Sequence, residues 1–207
     1  MYKTISNEII RRFDPYYDHS GFITDENEEL TVKDWVQKYR KIVPDDDIFW
    51  LLLRKEFMSK KKIKLFAVWC AREALKLFEN PDERIVEVCN VAERYINGEA
   101  TKEELLTARD AVDIDNYTVD ISDSTDTFYS AHDAAHDAVH DAACTAADVA
   151  VGDKLDIVYS VADDATNAVF NNAYASSDAD VDAAYDVADD VANAFRDAQL
   201  DKLLTYF

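Results

Sequence analysis

Apolar residues recur at helical spacing through most of this chain, and that spacing predicts its elements. In KKKIKLFAVWCAREALKLFE, residues 60–79, the positions Leu65, Val68, Trp69, Arg72, Leu75 and Phe78 fall three or four apart and trace one face of a helix. IFWLLLRKEFMS, residues 48–59, is apolar almost all round and reads as a buried helix behind three consecutive aspartates. Thr31, with Asp34 three residues on, has the form of an N-cap and opens TVKDWVQKYRKIV, which Pro44 closes. Asn80-Pro81 is a break, the next helix runs from 82 to about 97, and Gly98 stops it as a C-cap. Thr101 and Glu104 make a capping box for a further helix, EELLTARDAV, while residues 1–30 read as a short helix and a loop ending in DENEEL.

After residue 112 the pattern changes. DIDNYTVDISDSTD, residues 113–126, lacks helical period and reads as a linker; beyond it three helices are predicted, over about 126–150, 154–174 and 179–205. Their repeat has period four: AHDA, AHDA, VHDA, and later a similar cadence in DADVDAAYDVADDVANAFRDAQLD. Four residues advance about 400° on a helix, so each such stripe drifts about 40° per step. Asp133, Asp137 and Asp141 form one stripe; Asp178, Asp182, Asp186 and Asp190, then Asp197 and Asp201, form a longer one, with Asp189 beside it. With only three Gly and three Pro for turns, the expectation is all-α. The predicted architecture is a multi-helix bundle with an Ala/Asp-rich C-terminal half: 1–112 a near-neutral scaffold, 113–125 an acidic linker, 126–207 the acidic helices, possible as one continuous domain. Alanine buries little area, so Phe128, Tyr129, Tyr159, Phe170, Tyr174, Tyr185 and Phe195 are expected to supply most of the C-terminal core.

Charge sharpens the division. From Asp110 to Phe207 the chain has 22 Asp, no Glu and three cations, Lys154, Arg196 and Lys202, whereas residues 1–109 balance 19 Lys plus Arg against 21 Asp plus Glu. Glu is the better helix former, because Asp competes for backbone hydrogen bonds. Like charges four apart each cost an isolated helix about 0.2–0.5 kcal/mol. Uniform choice of Asp therefore points to short, stiffly held carboxylates presented to a basic surface. Carboxylates four apart rise by about 6 Å, the same order as the phosphate spacing along a nucleic-acid strand. The function expected is mimicry of nucleic-acid phosphates, chiefly by Asp133, Asp137, Asp141, Asp178, Asp182, Asp186, Asp189, Asp190 and Asp197. It would inhibit a basic nucleic-acid-binding protein such as a nuclease, toxin or restriction or CRISPR-type defence effector, with no direct binding of nucleic acid by this chain. The plainer alternative is a solvated acidic face that keeps an alanine-rich bundle soluble. The basic run Lys60–Lys64 stands at a helix start, the wrong charge for the dipole, and is placed to dock against the acidic half.

His132, His136, His140 and Cys144 lie at successive i+4 positions, a spacing at which a His pair can bind a transition metal. No HExxH occurs and a drifting row brings only two members to one ion, so packing between helices is the expected role and no cofactor is expected. Cys70, Cys89 and Cys144 have no metal-like spacing and read as buried thiols of a reducing cytoplasm. With no glycine-rich phosphate loop, nucleophile elbow or Cys/His pairing on separate elements, the chain is not expected to be an enzyme. MYKTISNEIIRRF has no signal-type apolar run and no stretch approaches about 18 apolar residues, so a cytoplasmic protein off the membrane is expected.

Residues 65–112 carry a resemblance. Phe66-Ala67-Val68-Trp69-Cys70-Ala71, then Ala92-Glu93-Arg94-Tyr95 followed by Gly98-Glu99-Ala100-Thr101, then Glu104-Leu105 through Ala108-Arg109, are similar to the immunity proteins of bacterial toxin systems. Chains of similar texture also occur in bacteriophages. The resemblance implies an all-helical protein that binds and neutralises a partner, in a host cytoplasm if phage-borne, and it carries over no catalytic residue. Where such chains mix Ala with Arg, Glu and Trp in the tail, this one has Asp nearly throughout, which favours a cationic target. An immunity-type binder could also work by shape, with Trp35, Trp50 or Trp69 as anchors, and outward-facing alanine stripes would allow a homodimer.

Overall fold

The computed structural model describes residues 1–13, 27–113, 127–152, 155–177 and 180–207. Among these the chain is an all-α multi-helix bundle with one two-stranded sheet. β1 (Thr4–Ile5) pairs antiparallel with β2 (Leu30–Thr31), setting Thr4 opposite Thr31 and Ile5 opposite Leu30. The helices are α1 (Asn7–Arg11), α2 (Val32–Tyr39), α3 (Asp45–Leu52), α4 (Lys60–Leu75), α5 (Glu83–Asn97), α6 (Lys102–Asp113), α7 (Thr127–Val151), α8 (Val158–Ala175) and α9 (Val181–Leu204).

The caps stand where sequence placed them. The Thr31 hydroxyl accepts from the Asp34 N–H at 3.2 Å. Thr101 and Glu104 cap reciprocally, the Glu104 N–H on the Thr101 hydroxyl at 3.1 Å and the Thr101 N–H on the Glu104 carboxylate at 2.7 Å. Gly98 takes the left-handed conformation, φ 79°, that ends α5. Several boundaries differ: α4 stops at Leu75, α8 begins at Val158 after a 3-10 turn at Leu155–Ile157, and α3 differs at both ends. α3 begins at Asp45, so the three aspartates occupy its first turn, where the helix dipole favours them. It ends at Leu52 rather than near 59, because the chain then turns to bring Phe57 against Tyr2 and Phe13, ring centroids 5.4 and 5.8 Å away. The predicted linker falls on residues that, beyond 113, lie outside the described ones.

One hydrophobic cluster runs from Ile5 to Leu203 and joins the two halves. α4 is its axle: it packs on α5, α7 and α8, while α8 lies between α7 and α9. In the N-terminal half the fully buried groups are large, with Phe66 stacked between Phe49 (6.0 Å) and Trp69 (6.2 Å) and flanked by Ile48, Leu52 and Ile63. In the C-terminal half alanine predominates, with Val139, Val149, Val158, Val161 and Val169 beside it and Gln199, Leu200 and Leu203 at the end of α9. Ala142, Ala143, Ala146, Ala147 and Ala150 of α7 meet Ala162, Ala165 and Ala168 of α8, and Ala184, Ala188 and Ala192 of α9 form the third row. This corrects the expectation that aromatics fill that core: Tyr159, Phe170, Tyr174 and Phe195 are only partly buried and Tyr185 is 57% exposed. Small side chains let the helix backbones approach until no aromatic fits the seam, so the rings sit along its edges; the side chains of Phe128 and Tyr129 lie outside the described residues.

Candidate functional site

The alanine seams turn inward, and the aspartates are therefore turned out. On α7, Asp137 and Asp141 are exposed; on α9, Asp182, Asp186, Asp189, Asp190 and Asp197 are exposed. Asp133 belongs to α7 but its side chain, like that of His132, is outside the described part, and so is the whole of Asp178.

Helix geometry aligns part of the α9 row. Asp182, Asp189 and Arg196 follow one another at seven residues, about two turns, so they stand on the same side of α9. Arg196 reaches from that side to Asp163 of α8, Nη2 to Oδ1 2.8 Å. Asp163 neighbours Asp164, and Asp164 is within electrostatic reach of Asp141 on α7. Asp137, Asp141 and Asp164 thus make one carboxylate cluster across α7 and α8, Asp182, Asp186, Asp189 and Asp190 make an exposed row on α9, and the Arg196–Asp163 pair joins α8 to α9. Half-burial first, then the fields of Asp141 and Asp163, push the Asp164 carboxyl up to about 6.

The described cations of this half, Arg196 and Lys202, are turned to structure. Arg196, 12% exposed, also donates to Gln199 at 3.3 Å, approaches Asp46 of α3 at 3.8 Å and lies over the rings of Phe49 and Tyr159. Gln199 is fully buried; its amide donates to the Ala162 carbonyl at 2.8 Å and its oxygen accepts from Thr166. Lys202 covers Trp69 at 5.6 Å and Tyr206 at 5.5 Å. From the other half, Arg40 forks onto Asp197 and Asp201, 2.5 and 2.8 Å, so Asp197 is held within the chain rather than left for a partner. The lysines at the start of α4 dock on the acidic half through backbone oxygens, Lys64 on Ala150 at the end of α7 and Lys62 on Tyr206. A carbonyl at the C-terminal end of a helix stands at the negative end of its dipole, which favours a lysine there.

The histidine row does not converge. His136 packs on the Phe78 ring, centroids 4.1 Å apart, while His140 faces Asp141 at 3.4 Å and the Cys144 sulfur at 3.8 Å. Among the described residues no three His, Cys, Asp or Glu side chains are placed to hold a metal ion. Cys70, Cys89 and Cys144 are buried and unbridged, and burial pushes the Cys70 thiol up and that of Cys89 up to about 12, which keeps both protonated. Of the three tryptophans, Trp35 is 3% exposed and is no surface anchor, Trp69 lies partly buried under Lys202, and Trp50 lines a cavity. Among the described residues no helix is long and apolar enough to cross a membrane.

Sequence reasoning missed Arg40 and the part played by Arg196. The second had a signal, an isolated arginine among aspartates; the first had none, because its partners lie 157 and 161 residues away. No family model matches the chain, and no curated protein or solved structure does either.

Proposed function

We propose that this protein is a non-enzymatic inhibitor whose α7–α9 face takes the place of nucleic-acid phosphates on a basic protein surface. The observation that carries the reading is the exposure of Asp137 and Asp141 on α7 and of Asp182, Asp186, Asp189 and Asp190 on α9, outside close-packed helices, while Arg196 is turned to Asp163, Phe49 and Tyr159. Neighbouring helix axes stand about 8–10 Å apart and carboxylates on one helix about 6 Å apart, a two-dimensional field on the scale of phosphates along a groove. The Asp164 carboxyl, pushed up by half-burial first and then by Asp141 and Asp163, is more readily charged when a Lys or Arg arrives, which favours a cationic partner.

Replacing Asp182, Asp186, Asp189 and Asp190 by Lys is expected to abolish partner binding with helicity unchanged or higher. The assay is a pull-down from host lysate at low salt with a salt gradient. A nucleic-acid enzyme that elutes at moderate salt and is released by competing DNA supports the reading; inhibition that survives the fourfold reversal sinks it. Single Asp→Ala changes are expected to lower the association rate only slightly, since the field is shared.

A second reading, the immunity-type complex built on shape, is favoured by one observation. Beside the acidic face, α9 leaves Val187 49% and Val191 42% exposed, in line with Ala194 and Ala198 at i, i+4, i+7 and i+11. A partner gripping that ledge stays bound through high salt and ignores DNA, the opposite of what phosphate mimicry requires. The buried alanine rows point inward, while Ala194 and Ala198, exposed with Val187 and Val191, are the outward stripe that a homodimer would use.

A further inference from the structure

Among the described residues most arginines on this charge-rich surface meet a carboxylate, and Arg54 does not. Arg40, Arg72, Arg84, Arg94, Arg109 and Arg196 each meet a carboxylate, as 43 acids against 22 Lys plus Arg would lead one to expect. Arg54 meets none among the described residues. Its guanidinium lies over Trp50 at 4.1 Å and over Phe13 at 4.9 Å, its Nε donates to the Trp50 carbonyl at 3.1 Å, and Glu56 acts on it only through the field. Burial lowers its pKa, the mark of a cation taken partly out of water without a counter-ion. A guanidinium so placed keeps donors for a planar anion.

Arg54 lines a cavity of about 700 Å³ that runs along α3 to the start of α8. Phe49, Trp50, Leu53, Leu155 and Tyr159 give it an apolar, aromatic wall. The cavity carries charges of both signs, Asp46, Asp47 and Glu56 against Arg54, Lys55 and Lys60. Asp46 and Asp47 stand in the first turn of α3, and Arg54 and Lys55 follow its last turn, about 10 Å further along the axis. Asp46 is already engaged, by Arg196 at 3.8 Å and by the Tyr159 hydroxyl. The Arg54 guanidinium meets no carboxylate among the described residues of this cavity. Its volume and its mix of apolar wall with a few polar groups are those of a small-molecule site.

We propose that this cavity binds an aromatic anion, the flat body against Trp50, Phe49 and Tyr159 and a carboxylate or phosphate head on Arg54. It stands apart from the α7–α9 face: an anion is repelled there and attracted here, so the two surfaces take ligands of opposite sign.

The test uses the intact chain and anilinonaphthalene sulfonate, a fluorescent aromatic anion, displaced in turn by indole-3-acetate, by AMP, and by their neutral counterparts indole-3-acetamide and adenosine. One saturable site is expected, with displacement by an anion at least about tenfold stronger than by its neutral counterpart, as a charge-assisted hydrogen bond to guanidinium implies. Displacement by the indole pair alone assigns a carboxylate head, and by the nucleotide pair alone a phosphate. Arg54→Gln, checked for unchanged helicity, is expected to weaken the probe at least about tenfold. Absence of a saturable site, equal displacement by charged and neutral compounds, or a folded Arg54→Gln that binds the probe as the parent does would overturn the proposal. Where that variant fails to fold, the charged-against-neutral comparison on the parent chain decides.

Discussion

The two halves of this molecule solve the packing problem in opposite ways. Around α3 and α4 the core is made of large groups, Phe49, Phe66, Ile48, Leu52 and Ile63, each removing much apolar area from water. Between α7, α8 and α9 it is mostly alanine with some valine, and Leu200 and Leu203 at its end; each buried methyl contributes about 0.8 kcal/mol. The small seam stabilises less per residue, but brings backbones close and leaves short carboxylates at fixed positions on the outside. An aspartate-lined helical layer with so little core of its own is held by what it leans on, and α4 packs on both α7 and α8. The difference teaches that the near-neutral half is the support and the acidic half the surface.

The sharpest way to break that comparison is to empty one core and overfill the other. Phe66→Ala, at a fully buried ring stacked on two others, is expected to cost about 3–5 kcal/mol. Ala165→Leu, in the α7–α8 seam, should cost about 1–3 kcal/mol, through strain rather than lost area. Urea unfolding followed by circular dichroism measures both; a tolerated Leu at 165 would mean that the seam is loosely packed and the carboxylate field not fixed.

Next in size is the joint between the halves. Arg196→Ala strands the Asp163 carboxylate and half of the Gln199 network, and removes the cation over Phe49 and Tyr159. A loss of about 2–4 kcal/mol is expected, with Arg40→Ala costing about 1 kcal/mol because Asp197 and Asp201 are exposed and rehydrate. Equal effects from the two arginines would show that burial at Arg196 confers nothing.

Much of this was legible in the sequence where the cause is local. Thr31, Gly98, Thr101 and Glu104 act through residues within a turn of themselves, and the period of the apolar residues named the helices. What could not be read was long-range or a matter of size. Nothing near Arg40 announces Asp197, and nothing in the alanine repeat says that Phe170 and Tyr174 will be pushed to the edge of the seam. The carboxylate stripes were legible as stripes; that Asp197 is taken by Arg40, and that Asp141 meets Asp164 across two helices, required the packing. The cavity beside Arg54 had no sequence signal, since its walls come from α3, from Arg54 and Lys55 beyond it, and from Leu155 and Tyr159.

The smallest expected effect tests the acidic face from within. The Asp164 carboxyl is raised from 3.8 to about 6 in the folded protein by half-burial and then by Asp141 and Asp163. Between those two values the folded chain binds more protons than the unfolded one, so this group's contribution makes stability fall as pH rises from about 4 to 6. Asp164→Asn removes the charge and should stabilise the protein at pH 7 by about 1 kcal/mol after discounting for solvent screening. At pH 4, where the native carboxyl is already protonated, the substitution should change little. The measurement is urea unfolding of parent and variant at both values. A gain at pH 7 that disappears at pH 4 is the cost of keeping a half-buried carboxylate charged, burial first and then Asp141 and Asp163, read as free energy. A gain of equal size at both would be packing alone, and the Asp164 carboxylate would then carry no cost of charge for a cationic partner to relieve.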